Sequence, residues 1–186
     1  MSSNSWDVLF SSGDYYFGTE PNDFLRENSR LIPKGSEVLC LGAGEGRNAV
    51  FLAELGHRVT AIDQSAPGMA KLERLARERG VTVDALHADL VFHDLGRARW
   101  DAIVWIWPDL PHDERLRIHP GCVEALKPGG VFLLEALAVH ASRLDLIEEL
   151  AGLHVTHAVE LERELQEGTA HRGTAAVVQL VGKRPL

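Results

Sequence analysis

Three glycines at alternate positions, Gly42, Gly44 and Gly46, follow the apolar run Val38–Leu41 and lead straight into Arg47 and an amphipathic segment. Glycine accepts a left-handed backbone and carries no Cβ, so a loop Gly42-Ala43-Gly44-Glu45-Gly46 turns tightly and lets a ligand approach its peptide groups. The next apolar run ends in Asp63, with Gln64 beside it. A carboxylate placed there accepts hydrogen bonds from ribose hydroxyls, and with the glycine loop it indicates a nucleoside-containing cofactor. The dinucleotide fingerprint needs its last glycine at position 47, which is Arg47, so an NAD(P)-dependent oxidoreductase is disfavoured.

These residues need a frame that brings them to one edge. From Lys34 onward short β-type runs alternate with helical ones. Strands are expected at Glu37–Gly42, Arg58–Asp63, Val81–Ala88, Trp100–Trp107 and Gly130–Leu137, and helices at Arg47–Leu55, Pro67–Arg79, Asp113–Leu126 and Ser142–Leu153. Several strands are nearly continuous apolar runs, which suits a parallel sheet covered on both faces. His154–Leu165 and Thr174–Arg184 alternate instead, around a loop "QEGTAHRG", and read as an antiparallel pair. The fold class is α/β, a Rossmann-like doubly wound, mostly parallel sheet with an antiparallel last strand. Residues 1–33 stand outside this rhythm and form a lid or cap segment, an aromatic loop followed by a short helix, ahead of a core at 34–186.

Composition narrows the function classes. The 186 residues suffice for one domain with its own core. A formal net charge of −8 lacks the basic footprint of a nucleic-acid surface. No apolar run reaches the ~18 residues of a membrane span. The first residues also lack a secretory signal's basic start, so a cytoplasmic setting is expected. Cys40, in an apolar strand, and Cys122, in a helical stretch, are read as buried thiols.

The Gly-Ala-Gly-Glu-Gly spacing resembles motif I of class I S-adenosylmethionine-dependent methyltransferases. "ADL" (Ala88–Leu90) after the third strand and "LKPGGVFLLEA" (Leu126–Ala136) before the fifth fit the same core. "YYFGTEPNDFL", "GEGRNAVFLAELGHRVTAIDQS" and "EGTAHRG" look like the tellurite-resistance and thiopurine methyltransferase-like branch. The resemblance implies S-adenosylmethionine as cofactor and a small-molecule methyl acceptor, a thiol, a thiopurine-like compound or a chalcogen. It places Gly42–Gly46 under the methionine and ribose, Arg47 near the methionine carboxylate, and Asp63 on the ribose hydroxyls. It also sets Gln64 beside the adenine, Asp89 on its amino group and Leu90 on its ring. Many family members carry Asp where this chain has Cys40. A non-catalytic domain that binds the same cofactor is the alternative reading.

Methyl transfer from a sulfonium is an in-line displacement that depends on alignment, and aromatic faces favour the cationic centre. Tyr15, Tyr16 and Phe17 are expected as a lid over the cofactor, with Trp105 and Trp107 at the end of the fourth strand. His112, where family members place substrate residues, and His171, in the late loop, are the candidate catalytic bases for a thiol, hydroxyl or amine. The competing account of each is a solvent-facing loop histidine. No histidine shows metal-ligand spacing, and no metal site is expected. Asp63→Ala is expected to abolish cofactor binding with little effect on folding.

Overall fold

Alternate residues of the central strands feed two separate cores, one on each face of a single sheet. A computed structural model describes residues 3–186, with side chains from residue 5 onward. Its parallel strands are β1 (Glu37–Leu41), β2 (Arg58–Asp63), β3 (Asp84–His87), β4 (Trp100–Ile106) and β5 (Leu126–Leu137), while β7 (His171–Lys183) runs antiparallel between β5 and β6 (His154–Glu167). Their spatial order is β3-β2-β1-β4-β5-β7-β6. Leu39, Leu41, Ile103, Trp105, Phe132 and Leu134 face one side, where α5 (His112–Ala125) packs through Ile118 and Cys122 and α6 (Arg143–Glu149) through Leu146. Val38, Cys40, Ala61, Val104 and Leu133 face the other, against α2 (Asp23–Asn28), α3 (Arg47–Glu54) and α4 (Ala66–Glu78). Continuous apolar runs are required because both faces are covered.

The parallel sheet and antiparallel last strand match the sequence reading, with several boundaries moved. β3 is shorter, because Val81 N–H still caps the preceding helix by donating to Ala76 O. β5 begins at Leu126, which pairs with Trp100 before a register shift restores the ladder at Val131. α6 starts after Ser142, whose side chain and Asp145 form a reciprocal capping box. The late loop corrects the expectation most. Glu167 and His171 are paired across the ladder, so the connection shrinks to Gly168, Thr169 and Ala170, and His171 opens a strand.

One helix was not foreseen. α1 (Ser3–Phe10) lies over the carboxyl edge of the sheet. Trp6 and Phe10, one turn apart, stack at 5.4 Å, and Phe10 is buried over Gly44 and Gly68. A Cβ on Gly68 would stand 2.9 Å from the Phe10 ring, so the helix docks only because that floor is glycine. The rest of the first 33 residues is divided in use: Phe24, Leu25 and Ile32 belong to the core beneath α3, not to any lid. No helix among the described residues is long and apolar enough to cross a membrane.

Candidate active site

Strand order reverses between β1 and β4, and in open α/β sheets the crevice beyond the carboxyl ends at that point is where ligands bind. A cavity of about 390 Å³ occupies it here. One wall consists of Gly42, Ala43, Gly44, Asp63 and Gln64, continued by Asp89 and Leu90 after β3. Gly42 takes φ +57° and Gly44 φ +53°, conformations that favour glycine, and Gly42 is exposed to the cavity. Gly46 is different. It caps α3 at φ +93°, and a Cβ there would fall 2.4 Å from Leu72 Cγ, so it is a packing glycine and not among the lining residues.

Asp63 holds this wall in shape. Its Oδ2 accepts from Gly44 N–H at 2.7 Å and its Oδ1 from Ser65 N–H at 2.8 Å. Burial pushes its carboxyl above the usual range, against the pull of those backbone donors. Each carboxylate oxygen has a further acceptor position, so two more hydroxyl donors would relieve the burial. A ribose diol fits that demand, and the uncovered peptide edge of Gly42 fits the close approach of a nucleoside's sulfur side chain. Asp89, exposed at the cavity rim, accepts from Val91 N–H through Oδ1 at 2.9 Å.

Aromatic side chains line the rest: Trp6 and Phe10 from α1, Phe17, and Trp107 after β4. Phe17 is clamped through its own peptide. Glu45 Oε2 accepts its N–H at 3.2 Å, and Arg47 Nη1 donates to its carbonyl at 3.4 Å. Tyr16 O accepts from Thr169 N–H and Ala170 N–H, which ties the segment to the β6–β7 turn. The expectation for Tyr16 is thereby corrected. Its ring packs edge-on to Phe17 and does not line the cavity, while Tyr15 turns away to donate its hydroxyl to Lys71 O. Of that trio only Phe17 reaches the site.

Arg47 lines the cavity but its charge is already partnered: Nη2 donates to Glu167 Oε2 at 2.6 Å. Glu167 belongs to a buried network with Asn22, Glu135 and Arg163. Asn22 Nδ2 bridges the two carboxylates at 2.7 and 2.8 Å, and Arg163 does the same at 2.6 and 3.0 Å. Burial alone would raise the Glu167 carboxyl, but His171, Arg47 and Trp107 around it outweigh burial and hold it well below the usual range. None of Asn22, Glu135, Arg163 or Glu167 was singled out in the sequence. The only local signals were an arginine in an alternating strand and an acid just before a turn glycine.

Neither candidate histidine lines the cavity. His171 stands one ring behind the wall, edge-on to Trp107 at 4.7 Å and to Phe17 at 5.0 Å, with its Nδ1 3.6 Å from Glu167 Oε2. His112 lies at the start of α5, where its Nδ1 is 2.9 Å from Glu149 Oε1. Glu149 also takes both ends of the buried Arg115 guanidinium, at 3.0 and 2.8 Å, so His112 belongs to a cluster that fastens α5 to α6. Cys40 is buried in the core behind the loop, and burial pushes its thiol up to about 12. Position 40 therefore faces the core against α3 and α4.

With this geometry in place, comparison with known proteins places the chain. A family model described as a methyltransferase domain matches residues 38–130, half of the sequence. The ubiquinone biosynthesis O-methyltransferase of Xanthomonas axonopodis pv. citri is 35% identical over 149 residues, covering 77% of this chain and 58% of that enzyme. The chain thus spans somewhat over half the length of the curated relative. Among solved structures, TehB from Haemophilus influenzae superposes with a TM-score of 0.74 at 19% identity, covering 96% of this chain and 67% of that one. A protein described in connection with conversion of a disulfide bond into a thioacetal group during echinomycin biosynthesis superposes at 0.80 with 18% identity, over 98% of this chain and 92% of that one. At such identities the superpositions establish the fold, and the family model establishes descent: the chain belongs to the methyltransferase domain family and has the class I S-adenosylmethionine-dependent architecture.

Proposed function

We propose that the protein is an S-adenosylmethionine-dependent methyltransferase acting on a small molecule, with a thiol, thiopurine-like or chalcogen acceptor. The observation that carries the reading is a cavity lined together by the glycine loop, Asp63 and Asp89 and by the aromatic side chains of Trp6, Phe10, Phe17 and Trp107. When bound, S-adenosylmethionine supplies an electrophilic sulfonium methyl group. The chain's own work is placement. The Gly42–Gly44 backbone admits the ligand, Asp63 accepts its hydroxyl protons, and Asp89 with Leu90 bounds the base. Arg47 keeps spare donors for a carboxylate, since a guanidinium has five and two are engaged. The aromatic wall offers π faces to a cationic sulfur and excludes water from the acceptor.

Residues 3–18 act as the lid in this reading, clamped to Glu45, Arg47 and the β6–β7 turn. His171 supports the wall by its edge contacts to Trp107 and Phe17, and acts as proton acceptor only for a ligand that displaces those rings. A thiol needs little such help, because an appreciable fraction ionises near neutrality. The acidic chain disfavours nucleic acid as acceptor. A second reading, methylation of a ring hydroxyl, draws support from the 35% identity to the ubiquinone O-methyltransferase.

Calorimetric titration with S-adenosylmethionine, S-adenosylhomocysteine and NADH tests the cofactor, and the first two are expected to bind. Formation of S-adenosylhomocysteine with an aryl thiol, a thiopurine, selenite, tellurite and a catechol then tests the acceptor. Turnover of the catechol alone favours the second reading. Binding of the cofactor with no turnover of any member favours the non-catalytic alternative, and binding of NADH alone overturns the proposal.

A further inference from the structure

We propose that Glu167 is a positioning residue that couples two residues of the cavity lining, Arg47 and Trp107, through one oxygen; the proposal rests on the cofactor reading above. Its Oε2 accepts from Arg47 Nη2 and from Trp107 Nε1, each at 2.6 Å, and both donors line the cavity. Arg47 opens α3 directly after the glycine loop, at the end where the ligand's amino-acid carboxylate is expected. Trp107 directly follows β4. The second oxygen, Oε1, faces away from the cavity and is fixed by Asn22 and Arg163, which also hold Glu135. One carboxylate oxygen is thus anchored in the scaffold, and the other is shared by Arg47 and Trp107.

Two further observations point the same way. Trp107 has φ +61°, a conformation costly for a residue with a bulky side chain, and its N–H is fixed to Glu135 O at 2.8 Å. The strain is retained where it aims the indole at Glu167. His171 Nδ1 is buried with no hydrogen-bond partner, and it lies 3.6 Å from the same Oε2. A carboxylate oxygen has two lone-pair directions, and Arg47 and Trp107 use both. An anion that draws the Arg47 guanidinium toward the cavity frees one of them. The indole N–H and the waiting His171 then redistribute on Oε2, so charge bound at the Arg47 end is read at Trp107.

The test compares two probes that share the nucleoside. S-adenosylhomocysteine has the amino-acid carboxylate, and 5′-methylthioadenosine lacks it. Indole N–H resonances of the full chain are recorded with each, Trp107 being assigned by its loss in Trp107→Phe. Both probes are expected to bind, and only S-adenosylhomocysteine is expected to displace the Trp107 signal. In Glu167→Gln that displacement disappears, and because the Arg47 guanidinium no longer has to leave a carboxylate, the preference for S-adenosylhomocysteine over 5′-methylthioadenosine rises by about tenfold, the weight of one charge-assisted hydrogen bond. Equal displacement of Trp107 by both probes overturns the proposal, as does an unchanged preference in the variant. The wild-type comparison decides the matter if Glu167→Gln does not fold. Failure of the wild type to bind either nucleoside removes the cofactor reading itself, a result distinct from binding both without a Trp107 response.

Discussion

The N–H of Gly44 donates to Asp63 Oδ2 at 2.7 Å, so the acid that ends β2 is part of the loop that ends β1. The same side chain also accepts from Ser65 N–H, at the cap of α4. A residue expected to act as a ligand contact at the sheet edge is therefore also a brace. Asp63→Ala leaves two buried N–H groups without their charged acceptor, at roughly 1–3 kcal/mol for each unsatisfied donor. The expectation that this variant folds normally is revised. It should melt well below wild type and show no thermal shift with S-adenosylhomocysteine, while Asp63→Asn recovers part of the melting temperature and none of the shift. A variant that loses neither would contradict the placement of the diol.

The loop glycines should divide into two kinds. Gly46→Ala forces a Cβ to within 2.8 Å of the Leu72 backbone at φ +93°, which costs about 2 kcal/mol or more through overpacking and strain. Gly42→Ala meets only the edge of Trp105, at 3.3 Å, but places a methyl group on the cavity floor. Urea unfolding should show the first variant weakened more than the second. Calorimetry should show Gly42→Ala folded but deficient in S-adenosylhomocysteine binding.

Helix α1 supplies two of the aromatic side chains, and its attachments include Phe10 over Gly44 and Gly68, the ring contacts of Trp6 and Phe10 with Phe17, and Ser65 Oγ donating to Asp7 Oδ1 at 2.7 Å. Phe10→Ala should release it without melting the core, since terminal helices open independently of the sheet. Hydrogen exchange over residues 3–10 is expected to rise toward that of an unstructured peptide, with the melting midpoint within about 2 °C of wild type. Protection of that helix by S-adenosylhomocysteine in the wild type, and its loss in the variant, identifies α1 as part of the ligand enclosure.

What the sequence could disclose was local. Gly42–Gly46 and Asp63 were legible because a glycine run and a terminal acid declare themselves beside their own strands. The order of β-type runs was enough for the sheet, down to the antiparallel β7. The Glu167 network was hidden because its members, Asn22, Glu135, Arg163 and Glu167, meet only when the first segment crosses to the last hairpin. α1 was hidden for a related reason: eight residues with little pattern of their own become a helix where Gly44 and Gly68 leave room for Phe10. His171 was assigned to a loop because Gly168 and Gly173 bracket it, yet the pairing of Glu167 with His171 carries the ladder past both.

Cys40 and Cys122 should be silent to thiol reagents in the folded protein. Both are buried, and burial raises both thiols far above neutrality, to about 12 for Cys40. The thiolate is the reactive form, so neither is available. Titration with a disulfide reagent at pH 8 is expected to label neither until denaturant is added, and then both. Rapid labelling of Cys40 in native protein would place it at the cavity instead of in the core.

Glu149 should set part of the acid sensitivity. Burial pushes its carboxyl up, but the His119 ring beside it and the Arg115 guanidinium outweigh burial and hold it at about 2, below the ordinary 4.5. A carboxyl lowered in the folded state stabilises the fold fully above its unfolded value. That contribution is lost as pH falls from about 4.5 toward 2. Glu149→Gln leaves the buried Arg115 without its counter-charge, a loss of about 3 kcal/mol at pH 7. The variant should therefore be weaker at neutral pH, and the gap to wild type should narrow below pH 4.5. Urea midpoints of both proteins at pH 7, 5 and 3.5 measure this, and parallel curves across the three would show that the cluster between α5 and α6 does not titrate as argued.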